Sequence, residues 1–243
     1  FIPLLVGSVW LLSAKYMKHD QAIVAYNETV AAFGTYSRID LPDGSKVWLN
    51  SGSSLRYPAR FNENERHVYL KGEAYFEVHS DSSSPFLVNT PYFSVKATGT
   101  RFNVMANMKS RTPSVTLVEG KVDVNRLKNG KEEVLLSQMK PNQHLVFDTL
   151  SGRVVVENED PYKYFAWKDG KLVFRNDNIS EVARRISLQY NVDIEIKGNE
   201  IRQYRYRATF ENEPLDELLR LLKLSSPIDY AEIQPKLLPD GSF

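Results

Sequence analysis

FRNDNISEVARRISLQYNVDI, from Phe174 to Ile194, is echoed by FENEPLDELLRLLKLSSPIDY, from Phe210 to Tyr230. The offset is constant at 36 residues (174 to 210). It pairs Phe174 with Phe210, Asn176 with Asn212, Glu181 with Glu217, Arg184 with Arg220, Leu188 with Leu224 and Asp193 with Asp229. Apolar positions match as well: Ile179 with Leu215, Val182 with Leu218, Ile186 with Leu222 and Val192 with Ile228. Each copy reads strand, polar turn, amphipathic helix, strand, so the C-terminal region is a duplicated βαβ unit. Two such units pack their helices together and leave sheet edges free, the form of a docking module rather than a catalytic one.

The local signals agree within each copy. Leu172 to Phe174 alternate as a strand, and Asn176, Asp177 and Asn178 form the turn. Ile179, Val182, Ile186 and Tyr190 then fall on one helical face. Asn178 or Ser180 caps the helix, and Glu181 sits in the first turn, where the helix dipole favours an anion. In the second copy Pro214 suits the first turn, and Leu215, Leu218, Leu219 and Leu222 form the stripe. A leucine stripe at this spacing is core, so the two helices are expected to pack on each other.

The rest of the chain is strand-rich. LPDGSKVWLN places a turn at Pro42–Gly44 before alternating Val47 and Leu49. Three later segments share one phrase, a glycine followed by alternating residues: GEAYFEV at Gly72, GTRFNV at Gly99 and GKVDV at Gly120. Their spacing fits an irregular β-sandwich or a short β-solenoid. NEDPYKYFAWKDG, Asn158 to Gly170, is the junction, where Tyr162, Phe165 and Trp167 pack one domain on the other. The expected fold class is mainly β with α+β. Its parts are a partial transmembrane helix at 1–14, a linker at 15–30, an all-β domain at 31–157 and the repeat domain at 158–243.

The membrane helix is read from FIPLLVGSVWLLSA, which carries no charge and precedes Lys15 and Lys18. Spanning a bilayer takes about 20 residues, so this is the outer half of a helix whose start lies upstream; a buried N-terminal core helix is the alternative. Trp10 suits the membrane interface, although Lys15 and Lys18 would then lie on the outer side, against the usual bias.

Composition excludes several classes. Thirty-one basic against 30 acidic residues give no bulk attraction to nucleic acid, and the absence of cysteine rules out disulfides and thiolate metal sites. His19, His67, His79 and His144 are scattered, none at zinc-helix spacing, and no cofactor or metal is implied. Glu73 and Glu77 share one strand face, which ordinarily means a solvated pair. YRYRATF, with Tyr204, Arg205, Tyr206 and Arg207, interleaves cations and aromatics. With near-zero net charge it reads as a strand whose two arginines share a face, and as an edge open to strand addition by a partner.

In order along the chain, LPDGSKVWLNSGSSLRYP, HVYLKGEAYFEV, PFLVNT, VKATGTRFNV and VTLVEGKVDV resemble the periplasmic domain of FecR-type anti-sigma regulators. FAWKDGKLVFRNDNISEVARRISLQYNVDIEI and its repeat resemble the C-terminal domain of that family's Bacteroidetes branch, itself similar to the secretin and TonB N-terminal short domain. The resemblance spans Tyr36 to Tyr230. It implies a single-pass inner-membrane regulator whose periplasmic part senses a loaded TonB-dependent outer-membrane transporter, and whose cytoplasmic region holds an extracytoplasmic-function sigma factor. It also implies that the closing strand of the second copy continues past Phe243. The chain is not expected to be an enzyme, but GTRF resembles the bond at which some members cut themselves. There the Thr100 hydroxyl would attack the Gly99 carbonyl to give an ester that water cleaves. The plainer reading makes Gly99 a bulge between Val95 and Phe102, with Thr100 hydrogen-bonded locally. The other functional classes are a cell-surface carbohydrate-binding β-domain protein or lytic enzyme and a secretin- or transporter-associated interaction module.

Overall fold

The structure, a computed structural model, describes residues 25–108, 110–128 and 131–233. The expected membrane helix at 1–14 lies outside these residues, and no described helix is long and apolar enough to cross a membrane. Residues 26–30, expected as linker, instead form an edge strand.

Thirteen strands make one continuous sheet folded into two layers. The first layer runs β1 (Tyr26–Val30), β4 (Ser54–Pro58), the first half of β5 (Arg66–Glu77), β6 (Phe86–Asn89), β7 (Phe93–Ala97), β10 (Val122–Lys128) and β11 (Lys131–Met139). The second runs β2 (Ser37–Asp40), β3 (Lys46–Leu49), the second half of β5, β8 (Arg101–Ala106), β9 (Ser114–Glu119), β12 (Gln143–Phe147) and β13 (Val154–Asn158). Only the β5–β6 pair is parallel among the described strands. The core lies between the layers: Phe76 of the second stacks on Phe102 at 5.1 Å and meets Phe86 of the first edge-to-face at 6.2 Å. All three rings are fully buried, and each contributes about 2–3 kcal/mol of apolar burial.

The three phrase glycines mark places where the chain changes layer. β5 pairs with β4 up to Lys71 and with β8 from Gly72 onward. Gly72 has φ +103°, and a Cβ there would lie 2.8 Å from the Cα of Ser53, so glycine is required on both counts. Gly99 stands between β7 and β8, and Gly120 between β9 and β10, each also a passage between layers. The alternatives thus resolve to a sandwich whose chain winds back and forth between its layers.

The C-terminal unit is a hairpin with two helices. β14 (Lys171–Asn178) pairs antiparallel with β15 (Arg205–Glu211), with a bulge at Asn176. The helices are α2 (Ile179–Tyr190) and α3 (Leu215–Ser225); a short α1 (Tyr162–Phe165) and a 3-10 turn (Ala166–Asp169) precede the hairpin. Asn178 Oδ1 accepts the Glu181 amide at 2.9 Å, which decides the cap. Ile179, Val182 and Ile186 of α2 and Leu218 and Leu222 of α3 are buried with Leu172, Phe174, Tyr206 and Phe210.

Both helices contribute to this one cluster together with the strands, and α2 lies most closely against β14. One expectation changes here. The closing strand of each copy is not formed among the described residues. Ile194, Ile196 and Ile228 still pack on the cluster. They do so from irregular backbone.

Candidate functional site

The Gly99–Thr100 peptide lies at a layer crossing, held from three sides. Its neighbours are tied by backbone bonds: the Asp81 amide donates to the Thr98 carbonyl at 3.0 Å, and the Val78 amide to the Thr100 carbonyl at 2.9 Å. Gly99 has φ +145°, and a Cβ there would lie 2.9 Å from the Cα of Ser80. On the other side a Cβ at Gly120 would meet the Gly99 carbonyl oxygen at 2.9 Å. Only glycines permit this approach.

The loop that carries Ser80 is itself clamped. Arg66, almost fully buried, pairs with Asp43 at 2.6 Å and donates to the carbonyls of Ser84 at 2.8 Å and His79 at 3.0 Å. The His79 amide donates in turn to Ser45 Oγ, and that hydroxyl donates to Asp43 at 2.7 Å. A buried charge so fully hydrogen-bonded holds its surroundings rigidly, and losing one partner would cost about 3–5 kcal/mol.

Thr100 is buried, and its hydroxyl has no hydrogen-bond partner among the described residues. The locally hydrogen-bonded threonine of the bulge reading is therefore not what forms. The peptide borders a surface cavity of about 280 Å³ lined also by Lys46, Glu77, His79 and Arg101. The arrangement combines a backbone in a glycine-only region, an uncommitted hydroxyl one residue on and room for water beside them.

The second candidate is the β15 edge. Arg205 and Arg207 are exposed, and Arg205 reaches the Asn176 carbonyl at 3.3 Å. Tyr206 points the other way and is buried in the helix–hairpin cluster, with Tyr204 packed at its margin. The two tyrosines therefore belong to the core, leaving the arginines on the exposed face of the strand. β15 pairs only with β14 among the described residues, so no strand pairs with its other edge.

Between the halves lies a seam whose aromatic part the junction motif indicated and whose polar part, around Glu73 and Arg185, the sequence did not. Glu73, expected to be solvated, is buried, and the side-chain amides of Asn50 and Asn103 donate to its two oxygens at 2.9 Å each. It borders a cavity of about 10 Å³ shared with Trp167 and Arg185. Arg185 donates to the carbonyls of Val173 and Lys163 at 2.9 and 2.8 Å. His144 stacks on Tyr164 at 3.9 Å, and burial pushes its pKa down to about 4. Phe165 lies on Tyr75 at 5.0 Å, so the junction aromatics do join the halves. An Asn on either side of a strand glutamate is the kind of signal that only pairing register makes visible.

The fold is thus a two-layer β-domain joined through a packed seam to a small repeated β–α unit. Comparison narrows the class. Residues 28–123 match the model of the FecR protein family, and residues 171–237 match that of the FecR C-terminal domain. Two crystal structures of a candidate anti-sigma factor from Parabacteroides distasonis ATCC 8503 superpose with TM-scores of 0.77. They are 30% and 31% identical in sequence, covering 86% of this chain and 96% and 95% of theirs. No curated protein matches significantly. The chain belongs to the FecR family of anti-sigma factors, a family of regulators.

Proposed function

We propose that the chain is the periplasmic sensor of a single-pass inner-membrane regulator, relaying the loaded state of a TonB-dependent outer-membrane transporter to an extracytoplasmic-function sigma factor. The observation that carries this reading is the β15 edge, which no strand pairs with among the described residues and which bears the exposed Arg205 and Arg207. A transporter's signalling domain adds a strand there, gaining main-chain hydrogen bonds that need no exact sequence. The uncharged stretch at 1–14 supplies the anchor, and a cytoplasmic region upstream of it holds the sigma factor.

Gly99–Thr100 is the self-cleavage point in this reading, on the strength of the orphaned Thr100 hydroxyl beside a glycine-only backbone. Thr100 Oγ attacks the Gly99 carbonyl carbon and the C–N bond breaks, leaving an ester on Oγ. The hydroxyl proton passes to the freed Thr100 amine. Water from the adjoining cavity then hydrolyses the ester to a Gly99 carboxylate and regenerates the hydroxyl. The relay is tested by deleting residues 171–233 from the full-length regulator in its host and reading a sigma-dependent reporter. Loss of response to the inducer is expected; an intact inducible response would reject the relay.

A further inference from the structure

Lys168, in the 3-10 turn between the halves, is held in a cage of aromatic rings. Its ammonium lies 5.5 Å from the ring centroid of Trp48, 5.4 Å from Tyr75 and 5.8 Å from Phe165. Asp169 balances the charge at 2.7 Å. Trp48 and Tyr75 are cross-strand partners on β3 and β5 and meet edge-to-face at 5.8 Å, whereas Phe165 comes from α1. Two walls of the cage thus belong to the β-domain, while the third wall and the cation belong to the connection. Desolvation by this packing pushes the Tyr75 hydroxyl up to about 12.

The cage sits midway along one strand face. Side chains two apart on β5 point the same way, so Glu73, Tyr75 and Glu77 form a row. Glu73 borders the small seam cavity with Arg185 and Trp167. Tyr75 is a wall of the cage, and Glu77 lines the cavity around Gly99–Thr100. Four residues of strand, about 13 Å, separate the seam from the cavity. A cation held by ring faces is a contact that water can replace, unlike a buried apolar plug. Halves of one chain move relative to one another when the contacts that join them open.

We infer that the Lys168 cage is a releasable latch between the two halves, and that opening it loosens the outward face of β5 where it borders Gly99–Thr100. The second clause rests on the cleavage reading above; the first does not. A partner that engages the C-terminal unit only in its released orientation would draw the equilibrium toward the open state.

The absence of cysteine makes the test direct. Spin labels are placed on the full chain through Glu63→Cys and Asp216→Cys, both exposed and one in each half. Their distance distribution is read by pulsed electron paramagnetic resonance, and cleavage is read by intact mass. A single narrow distribution is expected for the parent and for Lys168→Arg, which keeps a cation for the rings. Lys168→Met, of similar size but uncharged, should broaden the distribution or add a second population and change the cleavage rate at least threefold. Trp48→Phe keeps a ring and should fall between. An unchanged distribution in Lys168→Met would overturn the latch. A broadened distribution with an unchanged cleavage rate would keep the latch and overturn its coupling to β5. Absence of cleavage in every variant would remove the cleavage reading, while the distance arm would still decide the latch.

Discussion

Phe174 and Phe210, equivalent residues of the two C-terminal copies, meet edge-to-face with ring centroids 6.2 Å apart. The register sets Phe174 opposite Ala208 and Leu172 opposite Phe210, so the rings are diagonal neighbours on one face of the hairpin. The duplication is thus a packing device, with each copy supplying a ring to the other. The copies repeat their surface chemistry too. Arg184 forks onto Glu181 and Arg220 onto Glu217, each through two hydrogen bonds of 2.7–2.8 Å. Asn176 and Asn212 both take positive φ, 66° and 60°.

Leu218 is fully buried beneath these rings. Leu218→Asp would bury an unpaired charge and should cost about 4 kcal/mol or more. That is enough to unfold the C-terminal unit while the β-domain keeps its own melting transition, since no residue beyond Phe147 belongs to the buried β-domain core. An unchanged melting curve would show that the stripe faces elsewhere.

Thr100→Ala should abolish cleavage without altering the fold, because its hydroxyl makes no hydrogen bond to lose. Thr100→Ser should retain cleavage. Intact-mass spectrometry of protein kept at neutral pH for days distinguishes them. The fragments should remain associated, since β5 and β7, before the break, pair with β8 and β10, after it. A single full-length species throughout would leave Gly99 as a structural crossing only.

Gly99→Ala should also stop cleavage, for a different reason. A Cβ against Ser80 at a φ disfavoured for alanine forces the crossing to shift, at a stability cost of about 1–3 kcal/mol. Denaturant unfolding measures the cost. A variant as stable as the parent would mean that the Ser80 loop yields.

The neutral, buried His144 makes the seam acid-sensitive. Its folded pKa, about 4, lies below the usual 6.5, so the unfolded chain binds more protons between those values. Stability is full above pH 6.5 and falls as the pH drops through this window, by at most roughly 3 kcal/mol. His144→Phe keeps a ring for Tyr164 but loses the Thr116 hydrogen bond. It should be less stable at neutral pH, yet show a flatter dependence between pH 6.5 and 4. An identical slope would place the acid sensitivity elsewhere.

Much of the architecture was legible because it is written in local pattern. The 36-residue echo, the Asn178 cap, the Leu218 and Leu222 stripe and the aromatic junction all depend on neighbours in sequence. The glycine phrase was visible, but its role as a set of layer crossings was not, since φ and close approach depend on Ser53 and Ser80 from distant strands. The burial of Glu73 is hidden from local pattern for the same reason: its two asparagine partners lie 23 and 30 residues away. The repeat suggested a closing strand in each copy, whereas Ile194 and Ile196 pack on the cluster without a ladder. At the site, Gly99 and Thr100 were named from their motif, but the orphaned hydroxyl and the cavity beside it emerge only from packing.

The central claim is that the C-terminal unit docks a transporter. Isothermal titration calorimetry of the full chain against the isolated N-terminal signalling domain of the TonB-dependent transporter encoded beside it tests this most directly. The account predicts saturable one-to-one binding in the micromolar range, weakened by Arg205→Glu with Arg207→Glu and lost in Leu218→Asp. No heat of binding at high micromolar concentrations of the folded parent chain would contradict it.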